Sequence, residues 1–262
     1  MIKDVVAAAQ SAGRIIQEVG DSEFDVDSKG NAGPVTRADR MADELLKTHL
    51  LDLAPIGWLS EETADDRKRL DERRLWIVDP LDGTREFVKR LPEYCVAIAL
   101  VEGGEPVLGV VHNPTSGDTF WAVRGGGSFR NGSPVRVAEG RRLLASRSEL
   151  NRGEFEPFED EWDVVPTGSI QYKLALVGAG EAAATLSRGP KHEWDVCAGA
   201  LIVSEAGGLV TELAGGKLTF NRPFPKVRGI LAGAPDAYAR AGEQLNAIGP
   251  SDRMSELEGK TE

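Results

Sequence analysis

The sequence predicts an α/β protein, with an α+β half before about residue 140 and an α/β half after it. Three patterns say so. Residues 1–19 place Val5, Val6, Ala9, Ala12, Ile15, Ile16 and Val19 at spacings of three and four, the mark of an amphipathic helix. Between residues 95 and 123, apolar runs are separated by EGGEP and NPTSGD, which read as hairpin turns. Beyond residue 143, strand-like and helix-like segments alternate.

Taken in order, Gly20 stops the first helix, and the polar stretch DSEFDVDSKGNAGPV over residues 21–35 reads as a loop. A second helix runs from about Ala38 to Asp52, with Met41, Leu45, Leu46 and Leu50 on one face. Ile56–Leu59 is a short strand. Residues 62–74 carry ten charges in thirteen and read as a solvated helix or loop. Leu75–Val78 is a strand that Pro80 ends, and Cys95–Glu102, Val107–His112 and Thr119–Val123 are three more. The pattern changes around residues 137–142. Leu143–Ser146 and Asp163–Pro166 then read as strands, Ile170–Gly178 as a helix and Ala182–Leu186 as a strand. A long helix over Asp195–Ala206, strands at Leu209–Glu212 and Gly229–Ala232, and a helix over Pro235–Leu245 complete the core. The expected organisation is a first half over 1–139, a second over 140–248 and a frayed polar tail over 249–262.

A chain of 262 residues, 41% hydrophobic, has enough apolar mass for a sizeable core. No apolar window approaches membrane-spanning length, and the N-terminus lacks the apolar run and cleavage site of a signal peptide. Cys95 and Cys197 lie in apolar contexts without CxxC spacing and read as buried thiols in a reducing cytoplasm. A net charge of -11 argues against a nucleic-acid partner. For an anionic substrate, such a protein needs local cations, which points to metals.

The chemistry concentrates in LWIVDPLDGTREF, residues 75–87. Residues i and i+3 of a straight strand face opposite sides. A turn over Pro80-Leu81 would let the Asp79 and Asp82 carboxylates converge, with the Leu81 carbonyl between them as a third oxygen. Hard oxygen donors of this kind suit Mg²⁺. Read alone, Asp-Pro-Leu-Asp-Gly is equally a turn signal. Ser60-Glu61-Glu62 closes another apolar run, where the acids also read as caps. Asp195 and Asp39 stand where helix N-caps belong. All of these acids sit at strand or helix ends, which capping explains less easily than a shared site does.

SEE, WIVDPLDGTREF and HEWDVCAGALIVSEAGG, with VTRAD and the GS of PTGSIQYKLALVGAGEA, strongly resemble the inositol-monophosphatase superfamily of Mg²⁺-dependent, lithium-sensitive phosphatases. The matches span roughly residues 29 to 233. The resemblance implies a layered α/β/α/β/α sandwich. It implies two or three Mg²⁺ ions on Glu61, Asp79, the Leu81 carbonyl, Asp82 and Asp195. Inhibition by Li⁺ is expected. Glu61, Asp39 and Thr84 would orient an attacking water, and Gly83 and Thr84 would hold the phosphate through backbone amides. Gly168 and Ser169 would present free N–H groups to the substrate at a helix start. Attack would be in line on phosphorus, by a metal-activated water.

Within the superfamily, the basic residue and Glu-Phe after DGT resemble the bisphosphate-nucleotidase branch, the CysQ-type enzymes. Arg188, seven residues before Asp195, suits a second phosphate. Ala145–Leu150, Lys173 and Lys29 resemble that branch's nucleotide side. The substrate implied is adenosine 3′,5′-bisphosphate, a by-product of sulfate activation and transfer, handled by a monomer or homodimer. An inositol or related sugar monophosphate is the alternative. A haloacid-dehalogenase-type phosphatase needs its second acid two residues after the nucleophile, so the spacing of three and the intervening Pro80 exclude it. A non-catalytic metal- or nucleotide-binding regulator would lack a ligand, and all five acid-site positions are filled.

Overall fold

The computed structural model describes residues 1–23, 25–28 and 34–249. Among these the chain runs α1 (Ile2–Gly20), β1 (Val26–Ser28), β2 (Pro34–Thr36), α2 (Arg37–Leu53), β3 (Gly57–Ser60), β4 (Arg74–Asp82), α3 (Thr84–Val88), β5 (Cys95–Glu102), β6 (Glu105–His112), β7 (Thr119–Val123), β8 (Gly127–Arg130) and β9 (Ser133–Val135). It continues as β10 (Arg142–Ala145), α4 (Arg147–Leu150), β11 (Asp163–Pro166), α5 (Ile170–Gly178), β12 (Ala184–Ser187), β13 (Lys191–His192), α6 (Cys197–Glu205), β14 (Leu209–Thr211), β15 (Lys226–Val227), β16 (Ile230–Gly233) and α7 (Pro235–Ile248). No helix among the described residues is long and apolar enough to cross a membrane.

Two sheets dominate. Strands β3 to β9 lie in chain order in a seven-stranded sheet, with β3 parallel to β4 and every later pair antiparallel. The second sheet is five-stranded in the order β11-β10-β12-β16-β14. Alternation of side chains across the first sheet fills two separate layers. Trp76, Val78, Val96, Ile98, Leu100, Leu108 and Val110 pack under the apolar stripes of α1 and α2. Leu75, Ile77, Ala97, Ala99, Val101, Val111 and Phe120 face the opposite way, onto α5 and α6. Those two helices also pack against β12, β14 and β16 of the second sheet, whose far face is covered by Ala237, Ala241 and Leu245 of α7. The result is five layers, α/β/α/β/α. Helices α5 and α6 are buried almost all round, as expected of helices held between two sheets.

Several sequence expectations are corrected. Strand β4 does not stop at Pro80 but runs on to Asp82. The proline is tolerated because β3 stops pairing at Ser60↔Val78, so Pro80 owes no ladder bond on that side. Residues 62–74 are not wholly solvated, because Arg69 is buried and its guanidinium holds Asp65 and Asn221. The stretch 21–35 is not all loop, since Val26–Ser28 pairs with Pro34–Thr36, and β8 and β9 are strands although GGGSFRNGSPV has more turn residues than apolar ones. Helix α6 begins at Cys197 rather than Asp195. Lys29 and all of the expected tail except Gly249 lie outside the described residues.

Candidate active site

Strand β4 sets the centre of the site through its irregularity. Asp79 pairs with Ala97 and Asp82 with Cys95, so three steps along β4 oppose two along β5. That extra residue is a β-bulge. A bulge changes which face the following side chain takes, so Asp79 and Asp82 line one cleft instead of pointing apart. A bulge, rather than the expected turn, brings them together. The Leu81 N–H donates to Asp79 Oδ1 at 3.1 Å.

The cleft has a volume of about 540 Å³ and includes Glu61, Asp79, Leu81, Asp82, Gly83, Thr84, Gly168, Ser169, Lys173 and Asp195 in its lining. Gly83 takes φ 99° at the start of α3, a left-handed turn that delivers Thr84 to the helix start. Thr84 Oγ1 lies 2.9 Å from Asp39 Oδ1 and 3.1 Å from the Leu81 carbonyl. One hydroxyl hydrogen serves one of these acceptors at a time. Asp39 does both jobs the sequence left open. Its Oδ2 accepts the Thr36 N–H and hydroxyl at 2.7 Å, completing a capping box on α2, while Oδ1 reaches Thr84.

Asp195 does not cap α6. Its Oδ2 accepts the His192 N–H at 2.8 Å. Asp82 Oδ2 accepts the Ser169 hydroxyl at 2.5 Å and the Gln171 N–H at 2.7 Å. Among the described residues, no protein donor takes the Oδ1 of Asp82 or of Asp195. The expectation of free N–H groups at the start of α5 is corrected for Gly168, and nearby side chains hold those of Gln171 and Tyr172 as well. The Gly168 N–H donates to Glu93 Oε2 at 2.6 Å, that of Gln171 to Asp82, and that of Tyr172 to Ser169 Oγ. Gly168 is required sterically, since a Cβ there would stand 2.3 Å from Glu86 Cγ and 2.8 Å from the Glu93 carbonyl. Gly168→Ala is therefore expected to displace the turn, cut the catalytic activity of the site at least tenfold and destabilise the fold by about 1–3 kcal/mol. Activity and thermal melts check this, and wild-type values for both would refute it.

Burial raises the Asp79 carboxyl well above the usual range, and the charges of Glu61, Asp82, Asp195 and Asp39 raise it further. Burial likewise lifts Asp195 to about 7, against the pull of Lys191. It raises Asp82 as well, offset by the Ser169 and Gln171 hydrogen bonds. Lys173, also buried, is pushed down to about 8. Among the described residues, no group of three or more His, Cys, Asp or Glu side chains forms a ready metal cage. The fit to a cation is chemical. Oxygen donors are crowded in a buried place where each opposes its neighbours' charge, and a hard divalent cation relieves that.

Arg188 is not brought into the cleft. Its guanidinium donates to the Gly249 carbonyl at 3.1 Å, because the end of β12 directs it toward the C-terminus of α7. Other cations line the cleft instead, two of them, Arg85 and Arg147, within stretches that the sequence singles out. They are Arg85, Lys89, Arg147, Arg152 and Lys191, with Lys173 making six. Arg147 is pinned across both oxygens of Glu93. The stretch Ala145–Leu150 carried a signal for Arg147, while Glu93 and Gln171 carried none.

The inositol monophosphatase family model matches residues 1–249. The chain is 31% identical over 242 residues to the 3′(2′),5′-bisphosphate nucleotidase CysQ of Aggregatibacter actinomycetemcomitans, covering 85% of this chain and 88% of that protein. It is 34% identical over 233 residues to an inositol-1-monophosphatase of Mesorhizobium japonicum, covering 83% and 87%. Among solved structures, the extragenic suppressor protein suhB of Bartonella henselae superposes with a TM-score of 0.81 at 31% identity, covering 92% and 96%.

Proposed function

The chain belongs to the inositol monophosphatase family, and we propose that this phosphatase is a Mg²⁺-dependent hydrolase releasing the 3′-phosphate of adenosine 3′,5′-bisphosphate to give AMP. One observation carries the substrate reading. Six cationic side chains line a single cleft in a chain of net charge -11, beside six carboxylates whose charge bound Mg²⁺ would offset, and that leaves cations for a second phosphate. The similarity to a CysQ nucleotidase supports it.

In this reading Glu61, Asp79, the Leu81 carbonyl, Asp82 and Asp195 hold two or three Mg²⁺ ions, for which Li⁺ competes. Bound Mg²⁺ supplies Lewis-acid activation of water and stabilises the charge that builds on the phosphate. The chain's own groups do the orienting. Thr84 donates its hydroxyl hydrogen to the buried Asp39 carboxylate, so its lone pairs face the incoming water as acceptors. Glu61 accepts the water's second hydrogen. The Gly83 and Thr84 amides hold the phosphate, and Lys173, a buried cation in the lining of the cleft, neutralises it. Arg188 drops out of the substrate contacts. That favours the second reading, an inositol or sugar monophosphate, more than it does the first.

The test compares adenosine 3′,5′-bisphosphate, inositol 1-phosphate and fructose 1,6-bisphosphate with Mg²⁺ present. The nucleotide is expected to show a kcat/KM at least tenfold above either sugar ester. Faster turnover of the inositol ester would overturn the substrate reading, and no release from any of the three would overturn the activity.

A further inference from the structure

Gln171 lies on helix α5, whose other side chains are mostly apolar, and is only 1% exposed. Its backbone N–H and both polar atoms of its side chain are engaged. Its backbone N–H donates to Asp82 Oδ2 at 2.7 Å. The side-chain amide then spans to the other carboxylate's turn, with Nε2 donating to the Trp194 carbonyl at 2.6 Å and Oε1 accepting the Gly199 N–H at 2.7 Å. Trp194 and Gly199 flank Asp195 on either side in sequence. A helix start leaves its first N–H groups without partners, and the N-cap of α6, Val196, has no side-chain acceptor to offer. Gln171 supplies the missing acceptor from another helix. Asp195 is thereby relieved of the capping role its place in the sequence suggests, and among the described residues its Oδ1 has no protein donor.

We propose that Gln171 is a positioning residue that sets the separation of Asp82 and Asp195 and keeps Asp195 free for a divalent cation, so that it governs cation affinity without touching the cation. The inference rests on the cation reading of the site made above. Residues that orient ligands from behind typically change metal affinity by about 10–100-fold when removed. A purely structural glutamine would move stability alone.

The experiment measures Mn²⁺ binding to the purified full chain by electron paramagnetic resonance and Mg²⁺ binding by calorimetry, beside kcat at saturating Mg²⁺ and thermal melts. Gln171→Met keeps the shape and removes both side-chain hydrogen bonds. It is expected to weaken cation binding at least tenfold, while kcat at saturating Mg²⁺ recovers to within about threefold of wild type. Gln171→Asn keeps both polar groups on a shorter stem that reaches one partner at a time. It is expected to fall between the two, and serves as the variant to read if Gln171→Met does not fold. Cation affinity within twofold of wild type in the folded variants overturns the proposal, whatever their melting temperatures. A wild-type protein that binds neither ion overturns the cation reading itself, which is a different result.

Discussion

Asp79→Asn is expected to lower phosphate release by about 10³-fold or more and, in the absence of divalent cations, to raise the melting temperature. Both effects come from one cause. Asp79 is 1% exposed and faces the charges of Glu61, Asp82, Asp195 and Asp39, while among the described residues its one hydrogen bond comes from the Leu81 N–H. Asparagine keeps an oxygen for that N–H and deletes the charge. Without a cation, deleting it removes repulsion and a desolvation cost. At this chain length each kcal/mol gained shifts the melting point by roughly 2–4 °C. With Mg²⁺ present the order should reverse, because cation binding of the kind proposed would stabilise the wild type and not the variant. Melts with and without Mg²⁺, together with a phosphate assay, decide the matter. A variant that keeps a tenth of wild-type activity, or that melts lower than wild type in chelator, would show that Asp79 is not at the centre of the carboxylate cluster.

The second large effect is expected at Thr84. Thr84→Val should reduce kcat by about 10²–10⁴-fold with KM little changed, and Thr84→Ser should keep most of the activity. Valine fills the same space but carries no hydroxyl to stand between Asp39 Oδ1 and the Leu81 carbonyl. Asp39 would keep its two donors from Thr36, so the cap on α2 survives and the fold with it. What is lost is the relay that fixes the direction of the hydroxyl's lone pairs. Kinetics of the two variants give a clear answer. If Thr84→Ser is as impaired as Thr84→Val, the hydroxyl is not the working group. If both stay within threefold of wild type, the relay has no role in the reaction.

Much of this arrangement can be read in the sequence, and the exceptions have physical reasons. Periodicity identifies α1 and α2, because each buries a single face and so repeats cleanly, while β5 to β7 show as apolar runs bounded by turns, β5 and β6 being buried on both faces. Asp79 and Asp82 are legible from the apolar run that ends on them, yet the means of their convergence is not. A turn and a bulge leave the same residues behind, and only the pairing with Ala97 and Cys95 separates them. Asp39 is legible as a cap, and its second partner lies 45 positions away. The Arg188 backbone N–H reaches Glu149, which lines the cleft, but its guanidinium leaves in the other direction, and spacing alone cannot reveal that. Gln171 stays hidden because one polar residue in an apolar helix reads as an exposed edge. Its partners are 23 and 28 positions further along.

The middle helical layer has a further consequence for how the molecule holds together. Helices α5 and α6 are flanked by a sheet on each side, and their side chains Leu174, Val177, Ile202 and Val203 share one core with Leu75 and Ile77 of the first sheet and Ile230 and Ala232 of the second. Neither sheet has a private helical covering on its inner face. Separating them would bare that face on both at once, and each buried leucine- or isoleucine-sized side chain exposed would cost about 1.5–3 kcal/mol. Stability is therefore held in common. The carboxylates of β4 and Asp195, which leads into α6, are thus carried on elements that share this one core.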